Sequence, residues 1–71
     1  MDDATLLRMA VAAFGRAALR DLLGVNDRAV SHWLAGTRPV PMGLWRDLHA
    51  AAAVRHQALG ELLAALSERV Q

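Results

Sequence analysis

Residues that stop a helix recur through the first 41 positions of this chain and then nearly cease. Gly15, Gly24 and Gly36, followed by Pro39 and Pro41, cut a run of strong helix formers into short pieces, whereas from Met42 to the end, past Gly43 at its very start, only Gly60 weakens the pattern. Glycine accepts the left-handed conformation in which helices often end, and proline lacks an amide donor and restricts the residue before it. The spacing therefore predicts three short helices followed by one long helical stretch. The hydrophobic residues, 55% of the chain, are mostly Ala and Leu, with few β-branched or aromatic competitors, which favours helix over strand. The expected fold class is all-α, in a single domain spanning residues 1–71. A chain of 71 residues buries only a small core, so a second subunit would add stability.

The pieces can be read one by one. Asp2 or Asp3 can cap a first helix whose inner face carries Leu6, Leu7, Ala10 and Val11. Phe14-Gly15 ends it. A second helix runs from Arg16 to Leu23 with Leu19, Leu22 and Leu23 inward, Gly24 closes it, and Val25 drops into the core. Asn26 can cap a third helix, with Asp27 favourably placed at its positive end. Val30, Trp33 and Leu34 give that helix one apolar stripe, while Asp27, Arg28, Ser31, His32 and Ala35 take the remaining face. Pro41 suits the first turn of the last helix.

In that last stretch Leu44, Leu48, Ala52, Arg55, Leu59, Leu62, Leu66 and Val70 step by three or four, close to a heptad seam. Unbroken, it would be roughly 40 Å long, more than three short helices can cover. A break near Arg55-His56 or Gly60 would make two packed helices instead. Either way residues 1–48 form one bundle and residues 49–71 a C-terminal helical extension. Its far end (Leu59, Leu62, Leu63, Leu66 and Val70) is expected to meet a second subunit.

Several chemistries are excluded by what the chain lacks. There is no cysteine, hence no disulfide and no thiolate metal site, and a reducing, cytoplasmic location is natural. No apolar run is long enough for a membrane span, and Asp2-Asp3 is unlike the basic head of a signal peptide. His49 and His56 stand seven apart, whereas helical ligand pairs want three or four. No carboxylate completes a cluster, so neither catalysis nor a metal, cofactor or small-molecule ligand is expected.

The net charge of +1 says little, but its distribution says more. Residues 14–46 hold Arg16, Arg20, Arg28, Arg38 and Arg46 against Asp21 and Asp27, while each flank carries one more acid than base. Positive charge thus gathers around residues 16–35, where a short helix, a glycine corner and an Asn-capped second helix have the layout of a helix-turn-helix. The second helix of such a unit can lie in the DNA major groove, given small or polar groups outward and an apolar stripe behind. Here Val25, Val30 and Trp33 supply the stripe and Gly24 the corner. The sequence on its own also allows two ordinary helices of a small bundle.

Leu19, Leu22-Leu23-Gly24-Val25-Asn26, Val30-Ser31-His32-Trp33-Leu34 and Gly36-Thr37-Arg38-Pro39-Val40-Pro41 carry a resemblance to the lambda-repressor and Cro-like family of helix-turn-helix proteins. The resemblance covers about residues 4–48. It implies a bundle of four or five helices that binds double-stranded operator DNA as a symmetric dimer. Carried over residue by residue, it implies that Asp27, Arg28, Ser31 and His32 face base edges, with Arg28 the leading base reader and His32 a donor. It also implies that Arg16, Asn26, Thr37 and Arg38 meet phosphates. In one place the chain departs from the pattern: Arg20 stands where the family prefers a small residue, so it must lean outward or alter the crossing of the two helices. The function this implies is a homodimeric transcriptional regulator, a repressor or autorepressor on an inverted repeat. Phage Cro-like proteins and anti-CRISPR-associated autorepressors are small regulators of this kind. The rival expectation is a helical interaction module, such as an antitoxin whose last helix clasps a toxin.

Overall fold

The structure, a computed structural model, describes residues 1–70. Among them there are four helices and no strand: α1 (Asp3–Phe14), α2 (Arg16–Leu23), α3 (Asp27–Ala35) and α4 (Met42–Arg69). The all-α reading and the positions of the stops hold. The Asp2 side chain accepts from the Thr5 amide at 2.7 Å and starts α1. Gly24 (φ 67°) and Gly36 (φ 76°) both end their helices in the left-handed region, where any residue with a Cβ is disfavoured by its own carbonyl. That conformation turns the chain sharply enough for α3 to set off in a new direction after only three intervening residues.

The core is small. Leu7 and Ala10 of α1, Leu19 of α2, Val30 and Trp33 of α3, Val40 of the following loop and Leu48 of α4 are buried together. Val11, Phe14, Leu23, Val25, Leu34, Leu44 and Trp45 pack around them, partly exposed. α1 lies against α3 and α2, and α2 touches the first part of α4. Val40, passed over in the sequence reading, is the one apolar residue between two prolines. The fixed backbone at Pro39 and Pro41 holds it inward and ties the loop to the bundle.

Two expectations about the core need correcting. Leu22 is not a core residue but 42% exposed. An eight-residue helix buries only a narrow stripe, and Leu19 and Leu23, one turn apart, occupy it. Leu6 likewise stays largely open, because it lies at the rim of a groove between α1 and α4 rather than beneath α3.

α4 runs unbroken for 28 residues, which rules out the two-helix alternative. Gly60 costs a helix interior about 1 kcal/mol relative to alanine, too little to stop a segment flanked by Ala, Leu and Glu. Beyond Ala51 every described residue of α4 is exposed, so the second half projects past the bundle and stretches the molecule to 49 × 23 × 18 Å. Among the described residues no helix is long and apolar enough to cross a membrane.

Candidate nucleic-acid interface

α3 is held from behind and open in front. Val30 is fully buried and Trp33 nearly so, which fixes the helix on α1. The opposite face carries Asp27, Arg28 and Ser31, all exposed, and His32, half-buried. The polar flank therefore points to solvent and is not packed inside the bundle. Asn26 starts the helix: its Oδ1 accepts the Ala29 amide at 2.9 Å, and this leaves its side-chain N–H2 group to donate elsewhere.

The four outward side chains differ in what holds them. Arg16 reaches across from the start of α2, donating from Nε to Asp27 Oδ1 at 2.7 Å and from Nη2 to Ser31 Oγ at 2.7 Å. Arg20 adds a longer contact from Nη1 to the same carboxylate oxygen at 3.4 Å. Arg20 thus does not lean outward. It lies along the α2–α3 seam, half-buried, with its Nε buried and unpartnered. The hydrogen bond from Arg16 is the main reason the Asp27 carboxyl is held below the ordinary carboxylate range, with both guanidinium charges adding to it. Asp27 is therefore ionised at neutral pH and compensates two arginines at the corner of the helix pair. In the free protein Arg16, Asp27 and Ser31 are committed to one another.

Arg28 and Arg38 are not. Both are exposed, and among the described residues neither makes an ion pair or side-chain hydrogen bond. They stand on α3 and on the loop that follows it. A partnered surface arginine would have to give up its partner to bind anything else, but these two have nothing to give up.

His32 and Thr37 close the other end of the helix. The Thr37 hydroxyl can donate to the His32 carbonyl at 3.1 Å. Thr37 Oγ1 also lies 2.9 Å from His32 Nδ1, in a hydrogen bond whose direction follows the tautomer of the ring. Nε2 takes no part in that contact and is left for a further partner.

Sequence reasoning missed the part played by Arg20, whose signal was the unusual arginine itself; its target, Asp27, lies seven residues on and is brought close only by the Gly24 turn. The residues assigned to a subunit interface, Leu59, Leu62, Leu63, Leu66 and Val70, are each at least half exposed in the single chain. Among the described residues no three His, Cys, Asp or Glu side chains converge on a common point. Compared with known proteins, the chain matches no family model, no curated protein and no solved structure.

Proposed function

We propose that this protein is a sequence-specific regulator of transcription that binds double-stranded DNA through a lambda-repressor-like helix-turn-helix formed by α2 and α3. It acts as a homodimeric repressor or autorepressor on an inverted repeat, by occluding a promoter, in the manner of phage Cro-like or anti-CRISPR-associated regulators. One observation carries the reading: α3 is anchored by Val30 and Trp33 while an uncommitted Arg28 projects from its first turn. In this reading Arg28 and the His32 Nε2 read base edges. Arg38 and the Asn26 side-chain amide meet phosphates. Arg16, Ser31 and Asp27 come into play as the corner network rearranges, and Thr37 as its contact with His32 opens. Two recognition helices of a dimer would enter successive major grooves roughly 34–36 Å apart.

The test is selection from a pool of randomised duplexes, followed by titration of the enriched sequence at several salt concentrations. Enrichment of an inverted repeat, bound with a negative slope of log K against log salt, is the expected result. Failure to enrich any sequence, or binding indifferent to salt, would reject the proposal.

Asp27 gives a sharper prediction. Its carboxylate offsets Arg16 and Arg20, so Asp27→Asn frees two guanidiniums for phosphates. Affinity for unrelated duplex should rise several-fold, and the salt slope should steepen by about 0.9 for each phosphate gained. An unchanged slope would show that the two arginines do not reach the backbone. The pH dependence has a definite sign. A carboxyl whose native pKa is depressed contributes stability that is in place above its ordinary value of 3.8 and is lost as pH falls through the lower native value. Asp27→Asn should therefore lower stability slightly and evenly across neutral pH, with the difference from the parent closing as pH falls through the depressed native value; the loss is small, since the pair is well solvated.

The second reading, an antitoxin-like module, is favoured by the same exposed leucines of α4, which could clasp a different protein. The state of association of the purified chain separates the two, because a chain built to clasp another protein would remain monomeric alone.

A further inference from the structure

The stripe along α4 has the same spacing read from either end, though not the same residues. Leu44, Leu48, Ala52, Arg55, Leu59, Leu62, Leu66 and Val70 lie symmetrically about position 57, so that 44 corresponds to 70, 48 to 66, 52 to 62 and 55 to 59. α4 is one uninterrupted helix from Met42 to Arg69, so the seven from Leu44 to Leu66 lie along one side of it, with Val70 at its C-cap. The two halves of the stripe nevertheless differ in kind. The first half meets α1 and forms the floor of an open apolar groove of about 360 Å³, bordered by Leu6, Met9 and Phe14 of α1 and by Trp45, Leu48 and Ala52 of α4. The second half is a bare ridge of half-exposed leucines.

We propose that two copies pair through α4 in antiparallel fashion, with the two-fold axis at Gln57, so that the Leu62 and Leu66 ridge of each copy fills the α1–α4 groove of the other. A two-fold pairing needs a patch that complements itself, and a groove and a ridge equidistant from one point on a helix meet that need. Leu62 of one copy then lies over Ala52 of the other, where a small side chain leaves room. Leu66 lies over Leu48, and Val70 over Leu44. Arg55 sits close to the axis, and its guanidinium lies 5.1 Å from the centroid of the Phe14 ring of its own chain, at the border of the groove.

The area is of the right size. The chain exposes 5265 Å², whereas a compact monomer of 7.7 kDa would expose about 4,300 Å². The excess, about 900 Å², matches the roughly 800 Å² that each partner loses in an interface of standard size. The radius of gyration points the same way, at 14.6 Å against about 11 Å for a compact chain of this length. This inference gives the dimer of the proposed regulator its geometry, and rests on that reading only for its purpose.

Because the chain contains no cysteine, the register can be tested by single substitutions. Ala52→Cys and Leu62→Cys chains are prepared separately and oxidised alone or mixed, without DNA. Within one helix the two positions are about 15 Å apart, too far for an internal bridge. The expected result is a cross-linked dimer from the mixture and none from either chain alone. Linking of each chain to its own copy would mean a parallel pair, and a dimer that links in neither case would mean another surface; both overturn the proposal. Sedimentation supplies the second arm. The parent should sediment as a dimer and Leu62→Glu as a monomer with its helical spectrum retained, since Leu62 touches nothing in its own bundle. A monomeric parent at every concentration would overturn the inference and favour a different protein on the ridge. Loss of DNA binding with the cross-link intact would reject the regulator reading and leave this pairing standing.

Discussion

Trp33→Ala should leave the protein largely unfolded at room temperature. Trp33 is 7% exposed and belongs to a buried cluster of only seven residues. Truncating a buried aromatic to alanine costs about 3–5 kcal/mol, as lost transfer energy plus the cavity left behind. A single core in a chain of this size supplies roughly the same amount, so one substitution can cancel it. The expected observation is loss of the cooperative thermal transition followed by circular dichroism at low protein concentration, with Trp45 left as a fluorescent reporter of the exposed state. At high concentration the proposed dimer offsets part of the loss by mass action, so the midpoint should rise with protein concentration. Trp33→Phe keeps most of the volume and should retain a transition. If Trp33→Ala melted within a few degrees of the parent, α3 would not depend on its indole for attachment, and the account of how the polar flank is presented would fail.

That dependence also explains which parts of the structure were legible in the sequence. Every helix boundary up to the start of α4 could be read, because each rests on a local backbone constraint: Gly15, Gly24 and Gly36 at positive φ, Asp2 and Asn26 as caps, and two prolines around Val40. The α3 stripe could be read as well, since Val30 and Trp33 repeat at helical spacing and the far side carries no apolar residue larger than Ala35. Leu6 and Leu22 could not. Each sits one position from a buried leucine, and which of two adjacent apolar residues is covered depends on the direction from which the next helix arrives. The corner network was legible only in part. Charge collected around residues 16–35 was visible, but that Arg16 bridges Asp27 and Ser31 follows from how α2 and α3 are set against each other. Gly60 shows the opposite case: a local signal for a stop that good helix formers on both sides overrode.

Arg28→Ala and Arg38→Ala should then fail in different ways. Neither guanidinium has a partner among the described residues, so removing either breaks no internal contact, and stability should stay within about 0.5 kcal/mol of the parent. Any change in DNA binding can accordingly be assigned to the interface. Arg28 projects from the first turn of α3, from which a guanidinium can take the O6 and N7 acceptors of a guanine, a pairing worth about 1–3 kcal/mol of discrimination. Its loss should weaken the selected sequence by roughly 5- to 150-fold, leave unrelated duplex almost unaffected, and abolish the penalty for changing one base pair in each half-site. Arg38, on the loop after α3, faces the backbone in this reading. Its removal should weaken every sequence by a similar factor and reduce the salt slope by about 1, with the base preference intact. The measurement is a titration of both variants against the selected site, each of its single-base changes and an unrelated duplex, at two salt concentrations. Uniform losses from both variants would make Arg28 a second phosphate contact and move base reading to the His32 end of the helix. There the surviving base preference would map to the pair that His32 meets, and His32→Ala would remove it. Uniform losses with no base preference anywhere would leave α3 as a basic surface that holds DNA without reading it.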